Sequence, residues 1–264
     1  MPIDGRLPTH YRPFNDSLTS AERVDQLLEW LDSPSNPRFL AMYLSAVDHP
    51  GHWKGPNSAD VLAALRETDA AIAYLISELK SRKLFDATDL VIVSDHGMTE
   101  QPKEQLVPIE MLIAGKITDK IDWIDYGPIS SIIPRDGHLN QVYREISTSL
   151  RKKGIPCKIH RKDSVPLKYR YTGSARIPPL LVECALGWGL TFRDSGWTPK
   201  GQHGYDPDEV DMHALFLAHG PRIREGVRLT LQSNLDVYQF LAGLLSVAPL
   251  PSNGTLTLST LTLR

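Results

Sequence analysis

The segment that most restricts this fold is Leu90–Met98, Leu-Val-Ile-Val-Ser-Asp-His-Gly-Met. Its first four residues are apolar and mostly β-branched, which predicts a short buried strand of a parallel sheet. Ser94, Asp95, His96 and Gly97 follow at once. In open α/β sheets, ligands gather just beyond the carboxyl ends of the strands. A carboxylate and an imidazole side by side there, with a glycine to turn the backbone, have two readings. They are a polar loop with an inert, hydrogen-bonded histidine, or two neighbouring metal ligands.

Two further elements bear on that choice. Phe39–Leu44 reads as another strand and runs into Ser45-Ala46-Val47-Asp48-His49-Pro50-Gly51-His52. Pro50-Gly51 predicts a tight bend that carries Asp48 and His52 to one point without a helix. These donors suit Zn²⁺, and Mn²⁺ less well; a loop carboxylate capping a turn is the competing reading. His203 lies in Gly201-Gln202-His203-Gly204-Tyr205-Asp206, where flanking glycines leave it little local packing. That freedom serves a metal ligand and an ordinary surface histidine alike. Three such elements in one chain argue against independent accidents. A centre with two metals needs five or more ligands, each ion polarising a phosphoryl oxygen or activating the attacking one.

The rest of the chain supplies the scaffold. Its 264 residues suffice for one large α/β domain, or one with a small inserted lobe. With 41% hydrophobic and 23% charged residues it has the composition of a soluble globular protein. A net charge of −2 gives no global field for nucleic acid or anionic membrane. No apolar run is long enough to span a bilayer, and no basic-then-apolar leader is present. Cys157 and Cys184 show no metal-type spacing and read as buried thiols, a disulfide remaining open. Asn15-Asp16-Ser17 and Asn253-Gly254-Thr255 fit the glycosylation pattern, which matters only in the secretory pathway.

Residues 1–20 read as an irregular surface segment. Ser20 caps a predicted helix to Leu31, with Val24, Leu27, Leu28 and Leu31 on one face. A second, long helix runs from the Ser58 cap to about Lys83, with Val61, Leu65, Thr68, Ile72, Leu75, Ile76 and Leu79 inward. In that helix Asp69 makes a buried polar contact or partners a cap. Met111–Trp123 is ambiguous. Leu139–Lys153 is a helix closed by Gly154 and Pro156. Residues 151–170 hold eight Lys or Arg against one acid, a solvated face or a phosphate-attracting one. Pro179–Cys184 and Gly189–Phe192 are strands joined by the Gly187-Trp188-Gly189 turn. His213–Ala218 is a strand, Ser233 or Asn234 caps a helix to Leu245, and the tail beyond Pro249 adds an edge strand or frays. Tyr126, Trp188 and Trp197 read as packing residues.

At Asp48-His49-Pro50-Gly51-His52-Trp53-Lys54-Gly55-Pro56, Ser94-Asp95-His96-Gly97-Met98 and Gly201-Gln202-His203-Gly204-Tyr205-Asp206, the chain resembles a known family. Met212-His213-Ala214, His219-Gly220-Pro221 and Pro251–Leu256 extend the likeness, which runs from about Gly5 to Leu256. The family is that of the nucleotide pyrophosphatases/phosphodiesterases, type I phosphodiesterases of the alkaline phosphatase superfamily. Val47 and Pro207 depart from its usual Pro and Asn and touch no ligand. The resemblance implies an alkaline-phosphatase-like α/β fold, a mostly parallel central sheet flanked by helices, with its N-terminal part missing. Residues 1–264 then form a single, incomplete phosphodiesterase domain. It further implies two zinc ions, one held by Asp48, His52 and His203, the other by Asp95 and His96. The implied reaction is attack by a metal-bound threonine on a phosphodiester or pyrophosphate bond of a nucleotide or similar small molecule, through a covalent phospho-enzyme. Trp53, Lys54 and Tyr205 are candidate substrate contacts. Family members are anchored or secreted, which points to the secretory pathway.

One part of that pattern has no counterpart. In the family, the nucleophilic threonine, a further metal-binding aspartate, a phosphate-binding asparagine and the first strand lie upstream of the matched segments. Thr9, Thr19 and Thr99 occupy no recognisable nucleophile setting. The second site then keeps two protein ligands, whereas catalytic zinc has at least three. Loss of a nucleophile that acts as a unit with its metals removes on the order of 10⁴-fold of the rate, and a missing strand leaves apolar edge exposed. The expectation is partial metal binding with little turnover. Two alternatives stand beside it: a non-catalytic metal-binding or interaction remnant, and another hydrolase of the superfamily, a phosphomonoesterase or sulfatase.

Overall fold

The computed structural model describes residues 5–171, 173–193, 195–196 and 198–264, and among these residues the chain forms six α-helices and ten strands, three helices leading, one between the fifth and sixth strands, and two closing. The helices are α1 (Ser20–Leu31), α2 (Asp48–Lys54), α3 (Ala59–Ser81), α4 (Leu139–Lys153), α5 (Asp236–Leu245) and α6 (Thr257–Thr262). The strands are β1 (Leu90–Val93), β2 (Thr99–Glu100), β3 (Leu106–Pro108), β4 (Ile121–Ile124), β5 (Ile129–Pro134), β6 (Cys157–Arg161), β7 (Leu180–Cys184), β8 (Gly189–Thr191), β9 (Gly201–Gln202) and β10 (Phe216–His219). Two compact units result. One comprises the chain up to Asp48 with Leu62–Asp95 and Ala214–Arg264; the other comprises His49–Val61 and His96–His213.

In the first unit, α1 opens one residue earlier than predicted. Thr19 rather than Ser20 is the cap: its hydroxyl accepts from the Glu22 backbone, and the Glu22 carboxylate accepts from the Thr19 N–H at 2.8 Å. This reciprocal pair satisfies two orphan donors, while Ser20 is itself buried. Val24 and Leu28 of α1 bury against Ala71, Leu75 and Leu79 of α3. The predicted stripe of α3 turns inward mainly in its second half, since Leu65 is 48% exposed. Asp69 is exposed and makes no buried contact among the described residues.

Strand β1 forms where predicted, but its ladder partner is the antiparallel β10, Leu90 opposite His219 and Val93 opposite Phe216. Composition specifies that a strand forms, not which neighbour it meets. Phe39–Leu44 carries no ladder among the described residues, and Phe39 and Tyr43 remain more than half exposed. Helix α5 has no side-chain cap of its own. Its Asp236 instead accepts from the Thr255 amide and hydroxyl at 2.7 and 3.0 Å, which fixes the tail. That tail neither frays nor adds a strand: it forms α6, whose Leu258 joins Ile223, Phe240 and Leu244 in one buried cluster.

The second unit holds a four-stranded antiparallel sheet in the order β4-β5-β7-β6. Helix α4 has the predicted bounds and presses Val142, Ile146 and Leu150 into the core of that unit. It ends on Gly154, whose φ of 63° is the left-handed conformation that glycine adopts freely. β7 and β8 are consecutive yet not a hairpin: β8 pairs in parallel with β3.

Cys157 and Cys184 face each other across β6 and β7 and form a disulfide. The register decides this, which spacing alone left open. The bridge links cysteines 27 positions apart, so the chain-entropy account gives it about 3.5 kcal/mol. Reduction, or joint replacement of both cysteines by serine, is expected to lower the thermal midpoint accordingly. Equal midpoints for oxidised and reduced chain would show that the cross-link contributes no stability.

Candidate metal centre

Helix α2 corrects the bend expected at Pro50-Gly51. Pro50 falls in its first turn, where the missing N–H has no intrahelical acceptor to lose. Asp48 and His52 are therefore four apart on a helix and share its face. Gly55, at φ 93°, ends the helix and donates to the Gly51 carbonyl at 3.0 Å.

The imidazole of His52 is held from behind. Its Nδ1 lies 2.9 Å from the Gly201 carbonyl. A carbonyl only accepts, so Nδ1 carries the proton and Nε2 keeps a lone pair. The Lys200 amide donates to the His52 carbonyl at 2.7 Å, a second bond between α2 and the chain entering β9. His96 repeats the arrangement, with Nδ1 2.9 Å from the Gly97 carbonyl. Pairing of β2 with β9, Thr99 opposite Gln202 and Glu100 opposite Gly201, draws the loop of His203 alongside.

Three imidazoles consequently meet. The Nε2 atoms of His52 and His203 are 3.2 Å apart, and the rings of His203 and His96 stack with centroids 3.5 Å apart and planes 14° off parallel. Two nitrogens bound to one tetrahedral zinc at 2.0–2.1 Å lie roughly 3.3 Å apart, so the His52–His203 spacing fits such an ion. A ligand nitrogen of His96 lies within 4.8 Å of one of His203. All three rings are partly buried, and each offers a borderline donor.

Three positions without side chains make this packing possible. The Met98 sulfur occupies space only 2.5 Å from where a Gly51 Cβ would stand and 2.8 Å from that of Gly201. A Cβ on Gly97 would lie 2.1 Å from the Asp211 carbonyl oxygen, and the Gly97 amide donates to the Met212 carbonyl at 3.1 Å.

The two carboxylates belong to the first unit, each borne by an element that also carries an imidazole. Asp95 immediately precedes His96, and Asp48 stands one helical turn before His52. Desolvation, then the charges of Asp95 and Asp48, hold the Tyr43 phenol above its usual range. Both carboxylates thus lie within electrostatic reach of one phenol. Tyr43 also pairs with Phe14, ring centroids 5.9 Å apart, and both are exposed. Sequence reading passed over this aromatic pair, because neither residue lies in a ligand motif.

Of the candidate substrate contacts, Trp53 is 43% exposed at the end of α2 and Lys54 beside it is exposed. Tyr205 is placed otherwise: it is buried, and its hydroxyl oxygen accepts from Gln101 Nε2 at 3.0 Å. The threonines are engaged or remote from any role: Thr19 caps α1, Thr99 is buried in β2, and Thr9 is exposed. Part of the basic stretch is also accounted for, since Lys168 pairs with Asp206 and Asp208. Burial raises the Asp206 carboxyl, but the bond from Lys168 and further donors outweigh it and leave the group below the usual carboxylate range. Trp188 packs on the core, Tyr126 is half-exposed against Phe192, and Trp197 lies outside the described residues.

The family model described as type I phosphodiesterase/nucleotide pyrophosphatase matches residues 1–206. The chain belongs to this family. Members of this phosphodiesterase family are metal-dependent hydrolases, and His96 and His203 belong to a group of side chains that could hold a metal ion. The human ectonucleotide pyrophosphatase/phosphodiesterase family member 5 is 32% identical over 253 residues, covering 96% of this chain and 52% of that protein. Its solved structure superposes with a TM-score of 0.89 over 98% of this chain and 68% of the solved one, which establishes the alkaline-phosphatase-like α/β fold. A bis(5'-adenosyl)-triphosphatase of Xenopus laevis is 32% identical, over 96% of this chain and 55% of its own length. An inactive murine member 5, solved in complex with AMP, is 28% identical with a TM-score of 0.91, over 98% of this chain and 68% of that one. The chain spans about half the length of the human and frog relatives. Among the described residues, no helix is long and apolar enough to cross a membrane.

Proposed function

We propose that this chain carries the metal-holding loops of a two-zinc phosphodiesterase that cleaves phosphodiester or pyrophosphate bonds of nucleotides. In this reading Asp48, His52 and His203 hold one zinc, and Asp95 and His96 hold the other. The observation that carries it is the 3.2 Å approach of the His52 and His203 Nε2 atoms, with each Nδ1 of His52 and His96 turned to a backbone carbonyl. When bound, the metals polarise the phosphoryl oxygens and steady an in-line displacement.

The chain's own residues orient those donors. Backbone carbonyls fix the tautomers and the ring directions of His52 and His96. A nucleotide substrate is favoured by the relatives' names, by the AMP complex of the murine protein, and by an exposed aromatic pair. Phe14 and Tyr43 present a face on which a base could stack. Trp53 and Lys54 are the candidate contacts on α2. The Cys157–Cys184 bridge fits an oxidising compartment and hence the secretory pathway.

None of the three candidate threonines is placed as a nucleophile, so the chain by itself is proposed to take up metal in part and to turn over slowly. A calorimetric zinc titration of the metal-stripped chain tests this, paired with assays on a nitrophenyl nucleotide diester, a nitrophenyl phosphate and a nitrophenyl sulfate. One tight zinc, one weak, and feeble but diester-selective hydrolysis are expected. No zinc uptake would overturn the metal assignment; two tight zincs with vigorous hydrolysis would overturn the weakness. The placement of the same threonines also favours a second reading, a silent metal-binding module. Metal-dependent diester turnover would exclude it.

A further inference from the structure

His203 stands between Gly201 and Gly204, and Gly204 has a φ of 94°, open space around it and no side chain of its own. Such a segment supplies little local packing, so the backbone path that brings the ring to His52 and His96 is set by anchors on either side. Upstream, the anchor is the short β2–β9 ladder. Downstream, the next residue after Gly204 is Tyr205, which is only 5% exposed. Its phenol oxygen accepts from the Gln101 amide at 3.0 Å.

Gln101 is equally buried, at 3% exposure, and its backbone N–H donates to the Lys200 carbonyl at 2.9 Å. It therefore grips the chain both before and after His203. Its side chain fills the space above the turn at 187–189, where a Cβ on Gly189 would come within 2.9 Å of Nε2. The Oε1 atom is buried with no hydrogen-bond partner among the described residues. An unsatisfied buried acceptor costs about 1–3 kcal/mol, and a leucine of similar size would avoid that cost.

We infer that Gln101 and Tyr205 are a buried positioning pair that fixes where the His203 imidazole stands and so tunes metal affinity at this site. In this role neither acts as a ligand or substrate contact; both act through the backbone of 200–205. The consequence for metal rests on the metal-centre reading above, while the positioning of His203 does not.

The full chain is compared with its Tyr205→Phe, Gln101→Leu and doubly substituted forms. Zinc affinity is measured by chelator competition, with absorption spectra of the cobalt(II)-loaded chain alongside. Groups that orient a ligand change affinity by roughly 10–100-fold, so about a 10-fold loss is expected for each single variant. The double variant is expected to lose little more than either, as for two members of one network. Tyr143→Phe, a hydroxyl removed from α4, serves as a control that leaves affinity unchanged. In the metal-free chain, ¹⁵N-labelled histidine spectra are expected to show the His203 resonance moving in Tyr205→Phe and staying in Tyr143→Phe. Wild-type zinc affinity in folded Tyr205→Phe, or an unmoved His203 resonance, would overturn the positioning pair. Failure of the unsubstituted chain to bind zinc would instead count against the metal-centre reading, and the histidine spectra would still decide the pair.

Discussion

Exchange of His203 for alanine is expected to lower zinc affinity by at least about 100-fold, beyond the loss typical of groups that merely orient a ligand. The reason is its central place. Its Nε2 lies 3.2 Å from the His52 Nε2, and its ring is stacked on His96 at 3.5 Å. Removing it takes one of the three ligands from the site proposed for Asp48, His52 and His203, and the partner that the His52 Nε2 meets at 3.2 Å. The fold should tolerate the change, because His203 is only partly buried and is flanked by glycines, so a stability change of about 0.5 kcal/mol is expected. Zinc titration and thermal unfolding of the same variant separate the two effects. Retained affinity would remove His203 from the centre; collapse of the fold would show a structural role instead.

Gly97→Ala should act on stability first. The new methyl would stand 2.1 Å from the Asp211 carbonyl oxygen and 2.8 Å from that of His213, both backbone atoms that cannot swing away. Relief requires the chain to part, which also threatens the Gly97-to-Met212 hydrogen bond of 3.1 Å. Overpacking and a lost buried bond together come to about 4 kcal/mol, or roughly 10 °C in thermal midpoint for a chain of this size. Gly115 provides the contrast. It has a positive φ, 75°, but nothing lies within 4 Å of where its methyl would stand, so Gly115→Ala should cost only the left-handed strain of about 1–2 kcal/mol. Equal losses for the two variants would show that the close approach at Gly97 is relieved at little cost.

Several elements were legible from local pattern. The stripe Val142, Ile146, Leu150 and the stop at Gly154 specify α4, and both are found in place. The Leu90–Val93 run specifies a strand. Where the outcome depended on a distant partner, local pattern was silent or misleading. Phe39–Leu44 has the composition of a strand and finds no ladder among the described residues. Pro50-Gly51 reads as a break, yet a proline in a first helical turn loses no bond, and α2 forms. The tail after Pro249 becomes a helix because Leu258 finds a buried cluster to join.

The chain's residue types alone marked the family: three separated motifs supply carboxylates and imidazoles of the kind that bind metal ions. Which of these groups touch was settled only in three dimensions. The His52–Gly201 bond links residues 149 apart, the disulfide depends on the β6–β7 register, and Tyr205 turns inward to Gln101. Donor identity is a property of single side chains and is written in order along the chain. Donor convergence depends on strand pairing and on glycines that let backbones close to contact, and those are properties of the folded whole.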